Sequence, residues 1–193
     1  MSFGLKGGIS LNHMWGDDWD NQVTVNNGDN TFRLGFSIGG FVSINISDNL
    51  ALQPEVYLSL IGGGYDYTSG GNDIENTQRL WVLEIPILLK LTMPAGNFRG
   101  AVFAGGNIMI KMFDYTQIDD DQEDVISDEQ FERPYFGLVG GIEMDIPMND
   151  KMYFIVDVRY CLMLSDIFVE TMATGPEMKS NSLKFMVGIG TGM

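Results

Sequence analysis

The sequence is poor in cysteine, histidine and basic residues. Its 193 residues include one cysteine, Cys161, and one histidine, His13. A single cysteine excludes an internal disulfide and a metal site built from several thiolates, and a single histidine argues against a histidine-based metal cluster. There are 11 basic residues against 26 acidic ones, which gives a net charge of −15. Because nucleic acids and anionic lipid surfaces are bound through basic faces, this balance argues against both.

Long apolar runs are missing as well. No run of 18 or more apolar residues occurs, so the sequence predicts no transmembrane helix. The first residues, MSFGLKGGISL, lack the basic segment followed by an apolar segment that marks a signal peptide. The length is that of one ordinary domain, and we expect a single domain over 1–193.

What the sequence does contain is 24 glycines and eight segments of alternating apolar and polar or small residues. In the clearest segment one set is Leu50, Leu52, Pro54, Val56 and Leu58, and the other is Ala51, Gln53, Glu55, Tyr57 and Ser59. A period of two places such sets on opposite faces of a β-strand. The pattern predicts strands at 2–13, 31–45, 50–61, 78–92, 99–112, 133–146, 151–164 and 181–192.

The connections between these segments alternate in length. Three are short and rich in turn residues, at 47–49, 93–97 and 147–150, and four are long, at 14–30, 61–77, 113–132 and 165–180. Strict alternation is typical of an up-and-down barrel whose two termini lie at the short-turn end. The long connections hold most of the acid, so the negative charge is expected at one end of the molecule. We therefore predict an all-β fold, an eight-stranded antiparallel up-and-down transmembrane β-barrel.

The two faces of the predicted strands differ in charge. The apolar sets of strands 31–45, 78–92, 151–164 and 181–192 contain no charged residue, which suits a lipid-facing surface because a basic residue at the bilayer midplane costs roughly 2–4 kcal/mol. The opposite face carries six basic and five acidic residues, which we expect to pair inside a filled polar interior without a diffusion pore. This interior set is Lys6, Arg33, Glu55, Glu84, Lys90, Lys111, Glu143, Asp145, Asp157, Arg159 and Lys184.

An acidic run in the connection 113–132 is the weak candidate for a metal site. Carboxylate oxygens of this kind can bind Ca²⁺, but the run lacks the spacing and the glycine of an EF-hand loop. Blocks of like charge are more often solvated loops, and we favour a solvated loop over a metal site here. The candidate ligands are Asp119, Asp120, Asp121, Glu123 and Asp124.

Catalytic groups are scarce. Ser10 lies close to His13 in sequence, but alternation turns the two side chains to opposite faces of the strand, which is poor geometry for a Ser–His pair. Glu55 and Glu84 could form a carboxylate pair for acid–base chemistry, although pairing with Arg33, Lys90 or Arg159 is favoured. Cys161 points inward and is most simply a small core residue. We expect no active site and no cofactor.

Several segments resemble an outer-membrane β-barrel family widespread in Bacteroidota, the group of PorT-like and OmpA-like eight-stranded barrels. These segments are GLKGGISLNHMWGD (4–17), GFSIGGFVSINISDNLALQPEVYLS (35–59), LEIPILLKL (83–91), FGLVGGIEMDI (136–146) and VDVRYCLMLSDI (156–167). Gln53-Pro54-Glu55, Leu83-Glu84-Ile85-Pro86 and Asp157-Val158-Arg159-Tyr160 are the most specific parts. The resemblance implies a removed signal peptide, insertion into outer-membrane lipid, periplasmic termini and long extracellular loops.

Three functions are compatible with the sequence. The favoured one is a non-enzymatic structural or accessory barrel whose acidic loops contact a ligand or a partner protein, including a subunit of a larger envelope secretion or uptake complex. The second is a soluble, lipocalin-like eight-stranded barrel that binds an apolar small molecule inside. The third is a barrel enzyme of the lipase or protease type, which would need a histidine with convergent partners.

Overall fold

The computed structural model describes residues 1–16, 21, 24, 29–69, 72–118, 121–123, 134–165 and 179–192, and these residues are almost entirely β-strand. The strands are β1 (Ser2–Trp15), β2 (Asp29–Thr31), β3 (Arg33–Asn45), β4 (Leu50–Ser69), β5 (Asn72–Ala95), β6 (Phe98–Ile118), β7 (Asp121–Glu123), β8 (Tyr135–Pro147), β9 (Met152–Met163) and β10 (Lys179–Thr191). No helix in the described part of the chain is long and apolar enough to cross a membrane.

All strands except the short β2 and β7 form one closed antiparallel barrel. Each of the eight pairs with the next along the chain, and β1 pairs with β10 from Phe3 opposite Thr191 to Trp15 opposite Lys179. The pairing confirms the predicted eight-stranded up-and-down topology. The three short turns, at 46–49, 96–97 and 148–151, lie at one end of this barrel together with both ends of the described chain.

The prediction of a loop at 61–77 is wrong. β4 continues to Ser69 and β5 begins at Asn72, so this connection is a β-hairpin that extends both strands. β6 pairs with β5 as far as Ile118. The short strands β2 and β7 pair with β4 and β6 at the two edges of this extended sheet. About eight extra residues in β4 add roughly 25 Å of strand length. The alternation rule misses this extension because glycines and polar residues, such as Gly62–Gly64 and Asn72–Asp73, interrupt the apolar alternation there.

The apolar sets face outward and are exposed. Ile38 is 61% exposed, Leu89 51% and Val187 52%, and each belongs to a face that was predicted to contact lipid. The intervening residues of the same strands, such as Ser37 and Lys90, are buried inside the barrel. The hypothesis of a lipocalin-like barrel with its apolar face turned inward is therefore wrong. A soluble barrel would need a polar outer face.

Interior aromatic rings lie opposite glycines on neighbouring strands. Tyr57 is the cross-strand partner of Gly39, and Tyr153 is that of Gly190. A Cβ atom at position 39 would approach Tyr57 Cδ1 to 2.5 Å, and one at position 190 would approach Tyr153 Cζ to 2.3 Å. Glycine is thus required at position 190 because the ring occupies the space of a side chain, and at position 39 because the Val56 carbonyl oxygen, at 2.0 Å, and the ring both do.

Candidate functional site

A dense polar region lies at the centre of the barrel lumen, where seven charged side chains from five strands meet. We call this set the central cluster: Lys6, Glu55, Lys90, Glu143, Asp145, Asp157 and Arg159. Strand alternation brings them together, because each lies on the inward face of its strand. Their side chains are between 0% and 6% exposed, so the interactions among them are weakly screened by solvent.

Lys6 and Arg159 are the two cations at the heart of the central cluster. Lys6 Nζ donates to Asp157 Oδ2 at 2.8 Å and to Glu55 Oε1 at 3.3 Å, and it also bonds Glu143. Arg159 donates from Nη1 to Glu55 Oε2 at 2.5 Å and from Nε to Asp157 Oδ1 at 3.0 Å. The guanidinium group therefore bridges two carboxylates with the fork geometry that favours arginine over lysine in buried pairs.

Aromatic rings and one amide complete the surroundings of these cations. Arg159 Cζ lies 5.4 Å from the Tyr57 ring centroid and 5.1 Å from that of Phe103, and Lys6 Nζ lies 4.9 Å from that of Phe41. Gln53 Nε2 donates to Glu55 Oε1 at 2.9 Å. Ring faces attract desolvated cations, so these residues stabilise the buried charges.

Lys90 extends the central cluster toward the short-turn end. Its Nζ bonds Glu143 Oε1 and lies 3.3 Å from Asp145 Oδ2. Glu143 is thus held between Lys90 and Lys6, while Asp145 is near the end of β8.

A second, smaller polar group lies nearer the long connections, which we call the Lys184 cluster: Ser37, Ser59, Glu84, Asn107 and Lys184. Lys184 Nζ donates to Glu84 Oε1 at 2.5 Å, to Ser37 Oγ at 3.0 Å and to Ser59 Oγ at 3.3 Å. Asn107 Nδ2 donates to Glu84 Oε2 at 3.1 Å. Every member is at least 97% buried, and the one cation and one anion balance each other.

Apolar side chains close the lumen on both sides of these polar groups. Toward the long connections lies an apolar cap of Met14, Ile61, Leu80, Val82, Met109, Tyr135 and Met163. Toward the short turns, Phe41, Tyr153 and Ile155 pack together. Most of the charges therefore lie between two apolar layers, and Asp145 lies at the level of Ile155 in the layer nearest the short turns.

Two residues of the predicted interior set lie outside both clusters. Arg33 Nη2 forms an ion pair with Asp66 Oδ1 at 2.6 Å, and its Nε donates to Thr77 Oγ1 at 2.9 Å, so this arginine joins the barrel to the β4–β5 extension. Asp66 was unforeseen as a partner because it lies in the segment that was predicted to be a loop. Lys111 is half-buried on β6, where it is the cross-strand partner of Val82.

The predicted partners of Glu84 need a correction. Neither Arg33, Lys90 nor Arg159 is its ion-pair partner in the described structure; Lys184 is. Glu55 does pair with Arg159, as expected. Lys184 was not predicted as the partner because β5 and β10 lie on opposite sides of the barrel. The stagger of the strands places Glu84 and Lys184 at the same height along the barrel axis.

The candidate nucleophile and base are separated as alternation predicts. Ser10 is buried in the lumen, whereas His13 faces outward with its ring 5.0 Å from that of Phe32. Cys161 is buried beside Leu88 and Phe103. These positions give no nucleophile–base contact.

The weak metal candidates fall mostly outside the described residues. Asp119, Asp120 and Asp124 are not described, and the backbone of Asp121 and Glu123 forms β7. Within the described part of the chain, no group of three or more histidine, cysteine, aspartate or glutamate side chains is arranged to hold a metal ion.

Alternation placed Gln53, Tyr57 and Ser59 on the same face as Glu55, and all three are buried in the lumen. Their contacts with the charged residues were not predicted. The apolar cap was not predicted either, because Met14 or Met163 on an inward position contradicts the assumption that the inner face is polar throughout.

Comparisons with known proteins agree with this geometry. The sequence model of a family described as "outer membrane protein beta-barrel domain" matches residues 1–169. Neisserial surface protein A is similar in structure, with a TM-score of 0.52, 11% identity, and coverage of 100% of this chain and 99% of that one. The outer membrane protein OprG from Pseudomonas aeruginosa has a TM-score of 0.51, 16% identity, and coverage of 98% and 94%. At these identities the likeness shows the fold alone. No curated relative matches the sequence.

Proposed function

This chain belongs to the outer membrane protein β-barrel domain family, and from that premise we propose that it is a non-enzymatic barrel that anchors a contact surface in the outer membrane. In this proposal the whole of 1–193 acts as one domain. The transmembrane part is a closed support, and the long connections with the β4–β5 extension are the part that meets a ligand or a partner protein.

The observation that carries the proposal is the filled lumen. The central cluster and the Lys184 cluster occupy the interior with mutually paired side chains, and apolar layers lie on both sides of them. An eight-stranded barrel is just wide enough for side chains to fill it. A barrel of this kind supports neither diffusion of solutes nor access of a substrate to the interior serines.

The location of the charge supports a role for the long-connection end. Residues 16–32, 61–80, 113–134 and 164–180 hold 19 of the 26 acidic residues and only three of the 11 basic ones. The β4–β5 extension rises from this end and is held to the barrel by the Arg33–Asp66 pair. An acidic surface on a paired sheet favours a protein or ligand with basic groups.

The proposal orients the barrel with both termini in the periplasm and the acidic end outside the cell. The resemblance to PorT-like proteins supports a role as an accessory subunit of a larger envelope secretion or uptake complex. The separation of Ser10 from His13 supports the absence of enzymatic activity.

Conductance tests the closed lumen. The folded protein, reconstituted into planar lipid bilayers, is expected to give no stable open-channel steps at either polarity. A larger outer-membrane porin in the same bilayers serves as the positive control. Regular single-channel steps from the folded barrel would contradict the proposal.

Labelling tests the orientation. Asn21→Cys places a thiol in the first long connection and Asn49→Cys places one in a short turn; both positions are exposed. In a Cys161→Ser background, a membrane-impermeant maleimide is expected to label the first variant in intact cells and the second only after lysis. Labelling of the Asn49→Cys variant alone in intact cells would reverse the orientation.

A further inference from the structure

The central cluster contains one more carboxylate than cations. Among the described residues, its ion pairs join three cations, Lys6, Lys90 and Arg159, to four carboxylates, Glu55, Glu143, Asp145 and Asp157. If every group were ionised, one negative charge would be in excess among side chains that are at most 6% exposed. An unpaired buried charge is costly, so the excess requires a compensating positive charge.

The excess is located at Asp145. Its Oδ2 shares Lys90 with Glu143, and its Oδ1 is buried without a hydrogen-bond partner. Glu143 is fully engaged, because Lys90 bonds one of its oxygens and Lys6 the other. Both carboxyl groups contact the same Lys90 ammonium group, which brings them close together. Since an ionised carboxylate can only accept, a bond between the two requires a proton on one of them.

The other charged groups around this pair do not supply the missing charge. Arg99 is the cross-strand partner of Asp145 on β6, but its guanidinium lies over the Tyr153 ring at 5.9 Å, and no ion pair joins Arg99 to Asp145 among the described contacts. Lys184 on β10 bonds Glu84. The remaining charged neighbours are already bonded to one another: Lys6 on β1, Glu55 on β4, and Asp157 and Arg159 on β9.

We propose that Glu143 and Asp145 form a binding site for one proton at the short-turn end of the lumen, with the proton shared between the two carboxyl groups. The proton makes the central cluster neutral and supplies the donor that the carboxyl pair lacks. Asp145 is two residues from the end of β8 at Pro147, so the site lies next to the short-turn mouth. The site is independent of the proposed contact function at the opposite end of the barrel.

Infrared spectroscopy detects the proton directly. The folded protein in lipid vesicles at neutral pH is expected to show the C=O stretching band of a protonated carboxyl group. The band is expected to disappear in Asp145→Asn and to persist in Asp48→Asn, whose residue is exposed in a short turn. Absence of the band from the folded wild-type protein would overturn the proposal.

A pair of matched substitutions gives an independent test. Asparagine at 145 donates a hydrogen bond without a charge, as the bound proton does, so Asp145→Asn is expected to leave the urea midpoint of unfolding unchanged or higher. Asp157→Asn is expected to lower it, because Asp157 accepts bonds from both Lys6 and Arg159. An equal decrease in both variants would show that Asp145 is an ordinary ionised partner and refute the shared proton.

Arg99→Gln tests the alternative explanation, in which Arg99 and not a proton supplies the compensating positive charge. If Arg99 neutralised Asp145 at longer range, the protonated band would be weak in the wild-type protein and would appear in Arg99→Gln. The proposal expects equal bands in both. A band present only in the variant would assign the compensating charge to Arg99 and overturn the proton site.

Discussion

The pair of Glu84 and Lys184 offers the sharpest test of the filled interior. Both side chains are 3% exposed, and Lys184 Nζ lies 2.5 Å from Glu84 Oε1. Lys184→Met keeps most of the side-chain length and removes the charge, which leaves Glu84 as a buried carboxylate with Asn107 as its remaining donor. Removing one partner of a buried pair costs about 3–5 kcal/mol. Because Asn107 still bonds the carboxylate, we expect the lower end, about 3 kcal/mol.

Urea unfolding in detergent micelles measures this loss, with tryptophan fluorescence and heat-dependent gel mobility as two probes of the folded state. A loss of about 3 kcal/mol is roughly a 100-fold decrease in the folding equilibrium constant. Lys151→Met, at an exposed turn, is the matched control and is expected to change stability by less than about 0.5 kcal/mol.

The double variant Glu84→Gln/Lys184→Met removes both charges and keeps a group that can accept the Asn107 bond. Its stability is expected to return to within about 1 kcal/mol of the wild-type value, about 2 kcal/mol above that of Lys184→Met alone, so the losses of Lys184→Met and Glu84→Gln measured singly are expected not to add. If the single variant loses less than about 1 kcal/mol, or if the losses of the two single substitutions add up in the double variant, the reasoning about a buried, paired interior is refuted.

Two further predictions concern the packing and the outer face of the barrel. Gly190→Ala is expected to lower the unfolding free energy by roughly 1–3 kcal/mol because its Cβ would approach the Tyr153 ring to 2.3 Å, whereas Gly106→Ala, with nothing within 4 Å, should keep the wild-type urea midpoint. Equal effects would contradict the close approach. Leu89→Arg on the outward face, which is 51% exposed, is expected to cost roughly 2–4 kcal/mol, and gel mobility after insertion into vesicles should show a smaller folded fraction. Met148→Arg beside a short turn should insert normally; a normal folded fraction for Leu89→Arg would argue against lipid contact at that position.

The sequence predicted the barrel because strand alternation is a local property. Leu89 and Lys90 are adjacent residues that point to opposite sides of one strand, and their chemistry alone separates the lipid face from the lumen. The hairpin at 61–77 escaped prediction because glycines and polar residues interrupt the apolar alternation there, and the apolar cap escaped because its methionines and aliphatic residues occupy inward positions where polar residues were expected.

The sequence by itself determined the number of barrel strands, their up-and-down order and the two faces of each strand. Only the tertiary structure decided which interior charges pair. Lys6 and Glu143 lie on β1 and β8, and Glu84 and Lys184 on β5 and β10; neither pair is on adjacent strands. Their meeting depends on the stagger that accumulates around a closed barrel, which sets the level of each inward residue along the axis. Alternation shows that a side chain points inward, and the closure of the barrel determines the residue that it meets there.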